Sequence, residues 1–145
     1  MSTSIDTVPA APEAAPQAIV YPPAYRSLMT VGLMGYTFGR REDADIVNAA
    51  IEMTLDNSLV YRLHRAIALG IGGHGEVAQQ LLQDDIDNGQ RPEAAKVALA
   101  VAKIASDDDS WTPLIESVLA SGEDPEARQV AADLVSYLLS LNPNP

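Results

Sequence analysis

The stretch Gly70-Ile71-Gly72-Gly73-His74-Gly75 has the spacing G-x-G-x-x-G, in which glycines let backbone amides approach a pyrophosphate. That chemistry needs a β-strand before the motif and a βαβ unit around it. Here the preceding residues Tyr61–Leu69 have helical periodicity and no β-rich segment surrounds them, so the motif reads as a turn between helices. Asp84-Asp85-Ile86-Asp87-Asn88-Gly89 offers oxygens as a calcium loop does, but an EF-hand also needs alternating ligands, glycine sixth and glutamate twelfth. Counted from Asp84, the glycine falls sixth, yet Ile86 is third and Ala95 twelfth. Counted from Asp85, Gln90 and Lys96 hold those places, so the run reads as a solvated helix end. His64 and His74 stand outside any H-E-x-x-H pattern, and with no cysteine no zinc set can be completed. His64 reads as a surface or packing residue, and His74 as a cap or a solvated residue of the glycine turn. No Ser/His/Asp set, nucleophile elbow or phosphate loop stands out. The expectation is a protein that is not an enzyme and holds neither cofactor nor metal.

The composition bears on what such a chain binds. Its 145 residues suit one domain with a real core. Apolar residues make up 47% but aromatics only 5%, with abundant alanine, which favours helices packed closely on helices. The β-branched and aromatic runs that mark strands are largely missing. Twenty acidic against nine basic residues give a net charge of −11, which repels nucleic-acid phosphates and anionic membranes alike. The surplus reads first as a solubilising surface, and alternatively as a match for a basic partner. The N-terminus shows no charged n-region followed by an apolar run, and no window reaches the ~18 to 20 apolar residues of a spanning helix, so the expected location is the cytoplasm.

Residues 1–23 hold five of the ten prolines, Pro9, Pro12, Pro16, Pro22 and Pro23, among Ala, Ser and Thr. Such a segment buries too little to offset its ordering entropy, and reads as a disordered tail in which Ile19-Val20-Tyr21 could carry a recognition segment. The domain is expected over 24–145. Helical periodicity predicts helices at about Ala24–Phe38, Glu42–Leu55, Ser58–Ile71, Gly75–Asn88, Pro92–Ser106, Thr112–Ala120 and Asp124–Leu141. Gly39 and the Gly70–Gly75 cluster end helices through left-handed turns. Asn57-Ser58 offers an N-cap, Pro92, Pro113 and Pro125 suit first turns, and Asp124 caps the last helix. Trp111 reads as packed between helices.

Sliding the chain on itself by 34 residues aligns Gly32, Ala66 and Ala100, each small and mid-helix, then Gly39 with Gly73 and Ala44 with Ala78. Small residues at a helix crossing and a glycine at the turn are what a tetratricopeptide hairpin needs. Leu28 and Arg62 replace the large aromatics of the first slot, Asn48 and Leu82 those of a later one. Asp107 and Thr112 fill the Gly and Ala slots of a third, degenerate unit, followed by a capping helix. The expected fold is all-α, a tetratricopeptide-like α-solenoid of about seven helices. Carried across, the register places Met29, Leu63 and Val97, then Leu33, Ile67 and Val101, then Tyr36, Gly70 and Ile104 on one concave face. Eight of these nine are apolar, which suits a groove for an amphipathic helix with anchors at i, i+3/i+4 and i+7. The alternative reading is ordinary core.

The segments Leu28-Met29-Thr30-Val31-Gly32-Leu33-Met34-Gly35, Gly39 and Glu42-Asp43-Ala44 resemble the tetratricopeptide-like needle-protein chaperones of bacterial type III secretion systems. Leu81-Leu82, Ser110-Trp111-Thr112-Pro113-Leu114 and Glu123-Asp124-Pro125-Glu126-Ala127-Arg128 extend the resemblance over about 25–141. It implies a chaperone of the bacterial cytoplasm that cradles the amphipathic helix of the needle subunit, often beside a small helical co-chaperone, and so prevents premature polymerisation. The groove residues would then be Met29, Leu33, Tyr36, Leu63, Ile67, Val97, Val101 and Ile104. The alternative function is a scaffold or adaptor subunit permanently bound to a partner through the same surface.

Overall fold

The computed structural model describes residues 21–141. Most of the expected tail, including Ile19 and Val20 of its recognition segment, lies outside these residues. Tyr21 belongs to the fold: it stacks on Tyr25, ring centroids 6.3 Å apart, and both pack on Met29, Ile51 and Tyr61.

Among the described residues the chain is all-helical, with seven α-helices and no strand. They are α1 (Pro23–Thr37), α2 (Arg41–Thr54), α3 (Leu59–Ile71), α4 (Gly75–Asn88), α5 (Pro92–Ala105), α6 (Thr112–Ser121) and α7 (Pro125–Leu141), with a 3-10 turn at Asp109–Trp111. No helix among the described residues is long and apolar enough to cross a membrane. Proline in the first turn opens α1, α5, α6 and α7, where its missing N–H costs nothing. Acidic residues in the first turn of α2, α4, α5 and α7 complement the positive end of the helix dipole.

The caps resolve two points that the sequence leaves open. Ser58 stands at the N-cap of α3, but the oxygen that accepts the Leu59 amide is Asn57 Oδ1, at 3.0 Å, because the Ser58 hydroxyl is engaged by Arg62. The His74 side chain makes no capping bond at α4. Asp124 does cap α7, accepting from the Ala127 amide at 3.2 Å. The carboxylate of Glu93 takes the Glu123 and Asp124 amides and ties that loop to α5.

Three helix ends share one geometry. Gly39, Gly73 and Asp107, spaced by 34, have φ of 75°, 85° and 56°. After each, an amide reaches back five residues, Arg40 to Gly35, His74 to Leu69 and Asp108 to Lys103, at 2.7, 2.7 and 2.8 Å. This is the Schellman closure of a helix C-terminus. The third unit therefore keeps its turn even though its residue is Asp. Its departure lies further on: Ala44 and Ala78 are buried early in α2 and α4, whereas Thr112 is exposed after an inserted 3-10 turn.

Consecutive helices pair as α1 with α2, α3 with α4 and α5 with α6, and each later odd-numbered helix also packs on the odd-numbered one before it. Close approach at one of these crossings requires glycine: a Cβ on Gly70 would strike the Ala102 backbone of α5. The apolar interior falls into three clusters, around Met29, Ile51 and Tyr61, around Tyr36, Leu69, Leu82 and Leu99, and around Val97, Ile115 and Val118. Trp111 packs against the last, as expected.

Candidate protein-binding face

Arginines inside helices orient α3. Arg62 makes a forked bond to Asp85 of α4, Nε to Oδ2 at 2.9 Å and Nη2 to Oδ1 at 2.7 Å. Asp85 is thereby buried and paired, a correction to the solvated helix end expected at Asp84–Gly89, although Asp84 and Asp87 are exposed. Arg65, three residues on, points to the preceding hairpin. Its Nε donates to the Tyr36 hydroxyl at 2.8 Å and its two Nη atoms reach Glu52 and Asp45 at 3.2 and 3.1 Å. Tyr36 donates in turn to Asp45 at 2.6 Å. Burial, with the Asp45 carboxylate beside it, raises the Tyr36 pKa. Burial opposes ionisation of Asp45, but its bonds from Tyr36 and Arg65 prevail and hold its carboxyl below the usual value. Behind this group, buried Asn48 donates to the Gly32 carbonyl at 3.1 Å and accepts from the Tyr61 hydroxyl, so both polar atoms of its side chain are bonded. The joint between the first hairpin and α3 is thus polar at its rim and apolar within.

With α3 oriented, the register can be assigned direction. Met29 contacts the cluster containing Tyr61 of α3, Leu63 packs against the cluster that holds Leu99 and Ala102 of α5, and Val97 shares a cluster with Ala127 and Ala131 of α7. Tyr36 meets Arg65, and Gly70 meets Ala102. The slots 29/63/97 and 36/70/104 therefore face the next helix pair. Met29, Tyr36 and Val97 are buried there and offer no surface to a ligand, which corrects their assignment to a groove. Leu63 and Ile104 are half-buried at the same joints.

The slot Leu33, Ile67, Val101 is half-buried at the edge of a different surface. At 100° per residue, Val60, His64, Ile67 and Ile71 lie on the side of α3 opposite Arg62, hence away from α4. Val60, His64 and Ile71 are exposed, and Ile71 is 56% accessible. The 34-residue equivalents are Arg26, Thr30, Leu33 and Thr37 on α1, and Ala94, Ala98, Val101 and Ala105 on α5. An apolar strip therefore centres on α3, runs onto α5 and becomes polar at α1. Val60 and Ile71 were missed by the register because they fall between its slots. What marks them is their place opposite an ion pair that only the fold reveals.

Comparison with protein families, with characterised proteins and with solved structures returns no match to this chain.

A second apolar surface lies at the other edge of the first hairpin. Val31, Met34 and Phe38 of α1 and Val47 of α2 line a cleft of about 380 Å³ with Gly32, Gly35 and Ala44 at its floor and Arg40 and Asp43 at one end. The Gly73-His74-Gly75 turn, by contrast, borders a polar cleft that also carries Glu76, Asp108 and Arg41. Two carboxylates there oppose a phosphate. Among the described residues no three of His, Cys, Asp and Glu gather as a metal set.

Proposed function

We propose that this chain is a tetratricopeptide-like solenoid that holds an amphipathic helix of a partner protein on the outer side of α3 and α5. The observation that carries this reading is the apolar strip of α3, exposed at Val60 and Ile71 and half-buried at Ile67, continued by half-buried Val101 on α5. Side chains spaced i, i+3/i+4 and i+7 on a partner helix would cover it. The repeated turn at Gly39, Gly73 and Asp107 and the stacking of α1, α3, α5 and α7 support the solenoid. The resemblance to type III secretion needle-protein chaperones gives the partner: the needle subunit, bound in the bacterial cytoplasm, with or without a small helical co-chaperone. Covering the subunit's helix shifts it away from polymer by mass action.

Val60→Asp with Ile71→Asp places two charges in the strip at exposed positions, so the fold is retained. Co-expression with the needle subunit and pull-down should show capture by the parent chain and at least about tenfold less by the variant, the size expected when apolar anchors meet buried charge. Equal capture by both would sink the assignment. The scaffold alternative is separated by fractionation: a chaperone is absent from the assembled secretion apparatus, and a permanent subunit remains in it.

A further inference from the structure

The two ends of the helical array carry the two halves of a contact that the molecule makes internally. On α3, Arg65 bonds Tyr36, Asp45 and Glu52 of the first hairpin, and a Cβ at Gly72 would strike the Tyr36 carbonyl. On α5, Leu99 packs among Ala68, Leu69, Ala78 and Leu82, Ala102 lies against Gly70, and Ser106 lies against Gly75. Positions 65, 68 and 72 and positions 99, 102 and 106 are thus the face that each unit turns to its predecessor. The same slots on α1 are Val31, Met34 and Phe38, 64%, 47% and 70% exposed, with no helix of the described residues packed before them.

At the opposite end, α7 is the last helix of the described residues. Pro125-Glu126-Ala127 repeats Pro92-Glu93-Ala94 at a spacing of 33, and Val130 and Tyr137 fall in the slots of Val97 and Ile104. Val97 is 5% exposed against α6 and α7, whereas Val130 is 46% and Tyr137 60% exposed. Leu141 prolongs this stripe one turn further.

Charge decides between the ways in which copies could meet. Residues 21–41 contain Arg26, Arg40 and Arg41 and no carboxylate, while residues 42–145 contain eighteen carboxylates against six cations. On α7, Glu126 and Asp133 stand beside the free stripe, with Arg128 as the one cation of that helix. Arg40 and Arg41 pair with Asp43 and Asp45 of α2, so among the described residues Arg26 is the cation that α1 brings to a joint: two α1 faces would set Arg26 against Arg26, whereas α1 on α7 sets it against carboxylates. At physiological salt the screening length is about 8 Å, so charges at the joint govern and the distant remainder of the −11 does not.

We propose that a second copy of this chain occupies the α1–α2 cleft with the exposed stripe of its α7, in a head-to-tail contact. The contact rests on the stacking order within the solenoid reading and is independent of what the strip on α3 binds. A heterologous contact of this kind leaves one free end at each stage, so assembly grows with concentration unless it closes.

The test uses the full chain and two exposed-site variants, Phe38→Asp and Tyr137→Asp, in sedimentation velocity across about a hundredfold range of concentration. The parent chain should rise in mass with concentration, and each variant should stay monomeric. An equimolar mixture of the two should form a dimer, because each supplies the face the other lacks. A parent chain that is monomeric throughout overturns the proposal. So does a Tyr137→Asp chain that still self-associates, which would show α1 meeting α1, and so does a mixture that stays monomeric. Capture of the needle subunit by the same variants reads the strip on α3 separately, so failure of either inference is distinguishable.

Discussion

The Tyr36 hydroxyl gives its proton to Asp45 at 2.6 Å and accepts the Arg65 Nε–H at 2.8 Å, so a tyrosine of α1 stands between a carboxylate of α2 and a guanidinium of α3. The Arg65 guanidinium carbon also lies 6.0 Å from the centre of the Tyr36 ring. One residue of each of three helices is thereby fixed relative to the other two. Contacts between α2 and α3 are otherwise sparse, so this group and the Tyr61–Asn48 bond are the polar ties that hold α2 to α3.

Removing Arg65 would leave Glu52 without its cation and Asp45 with only Arg41, at 3.7 Å. The Arg65 side chain is only 13% exposed, and that of Glu52 18%, so water restores little of what is lost. Arg65→Met should lower the free energy of unfolding by about 3 kcal/mol, the scale for breaking one partner out of a buried ion pair. Arg65→Lys keeps the charge but not the fork that spans Tyr36, Asp45 and Glu52, and should recover less than half of that loss. Urea denaturation of the three proteins checks both values. Equal stability of the parent and Arg65→Met would show that the network does not hold the hairpin.

Acid should unfold the protein along a path set by carboxylates held in their charged form. Asp108 accepts from the Ser110 hydroxyl and amide and from Lys103 Nζ, which lowers its pKa from 3.8 to about 2. Asp45 and Asp124 are lowered as well. In each case the unfolded chain binds the proton more readily than the folded one. The stabilisation is complete above the unfolded value near 4 and disappears as pH falls through the folded value. Urea midpoints should therefore hold steady from pH 7 to 5 and drop most steeply between about 4 and 2. Asp108→Asn should be less stable at pH 6 and should converge on the parent chain near pH 2. A difference that persists unchanged at low pH would exclude a titrating contribution from Asp108.

Helix ends were legible in the sequence to within a few residues, because Pro92, Pro125, Gly39 and Gly73 act locally and need no partner. The direction of each slot was not. A spacing of 34 states that Met29, Leu63 and Val97 are equivalent, but not whether they meet solvent or the next hairpin. That depends on which side of α3 Arg62 and Arg65 turn toward α4 and α1, and their partners Asp85 and Asp45 lie 23 and 20 residues away in sequence. Helical periodicity places Val60 and Ile71 on one face, but only the packed array leaves that face open. The same blindness to partners hid the cleft between α1 and α2: Phe38 becomes significant only when Gly72 and Ser106, its equivalents, are seen to be covered.

Asp107 offers a final test of the repeat, since it occupies a glycine slot with a side chain. Its φ of 56° matches the 75° of Gly39 and 85° of Gly73, and the Asp108 amide closes the turn as Arg40 and His74 do. An L-residue in the left-handed region carries a steric cost that glycine avoids, reduced but not removed for Asp. Asp107 is exposed, so its replacement disturbs no packing. Asp107→Gly should therefore stabilise the protein by about 0.5–1 kcal/mol, although glycine raises the entropy of the unfolded chain. Gly39→Asp, the reverse exchange two turn-slots and 68 residues earlier, should destabilise by a similar amount, because no atom lies within 4 Å of the added Cβ and only the backbone preference changes. Opposite signs in the two urea transitions would show that the three turns are one structural device. A loss of stability in both variants would show instead that the Asp107 side chain contributes something specific to the third turn.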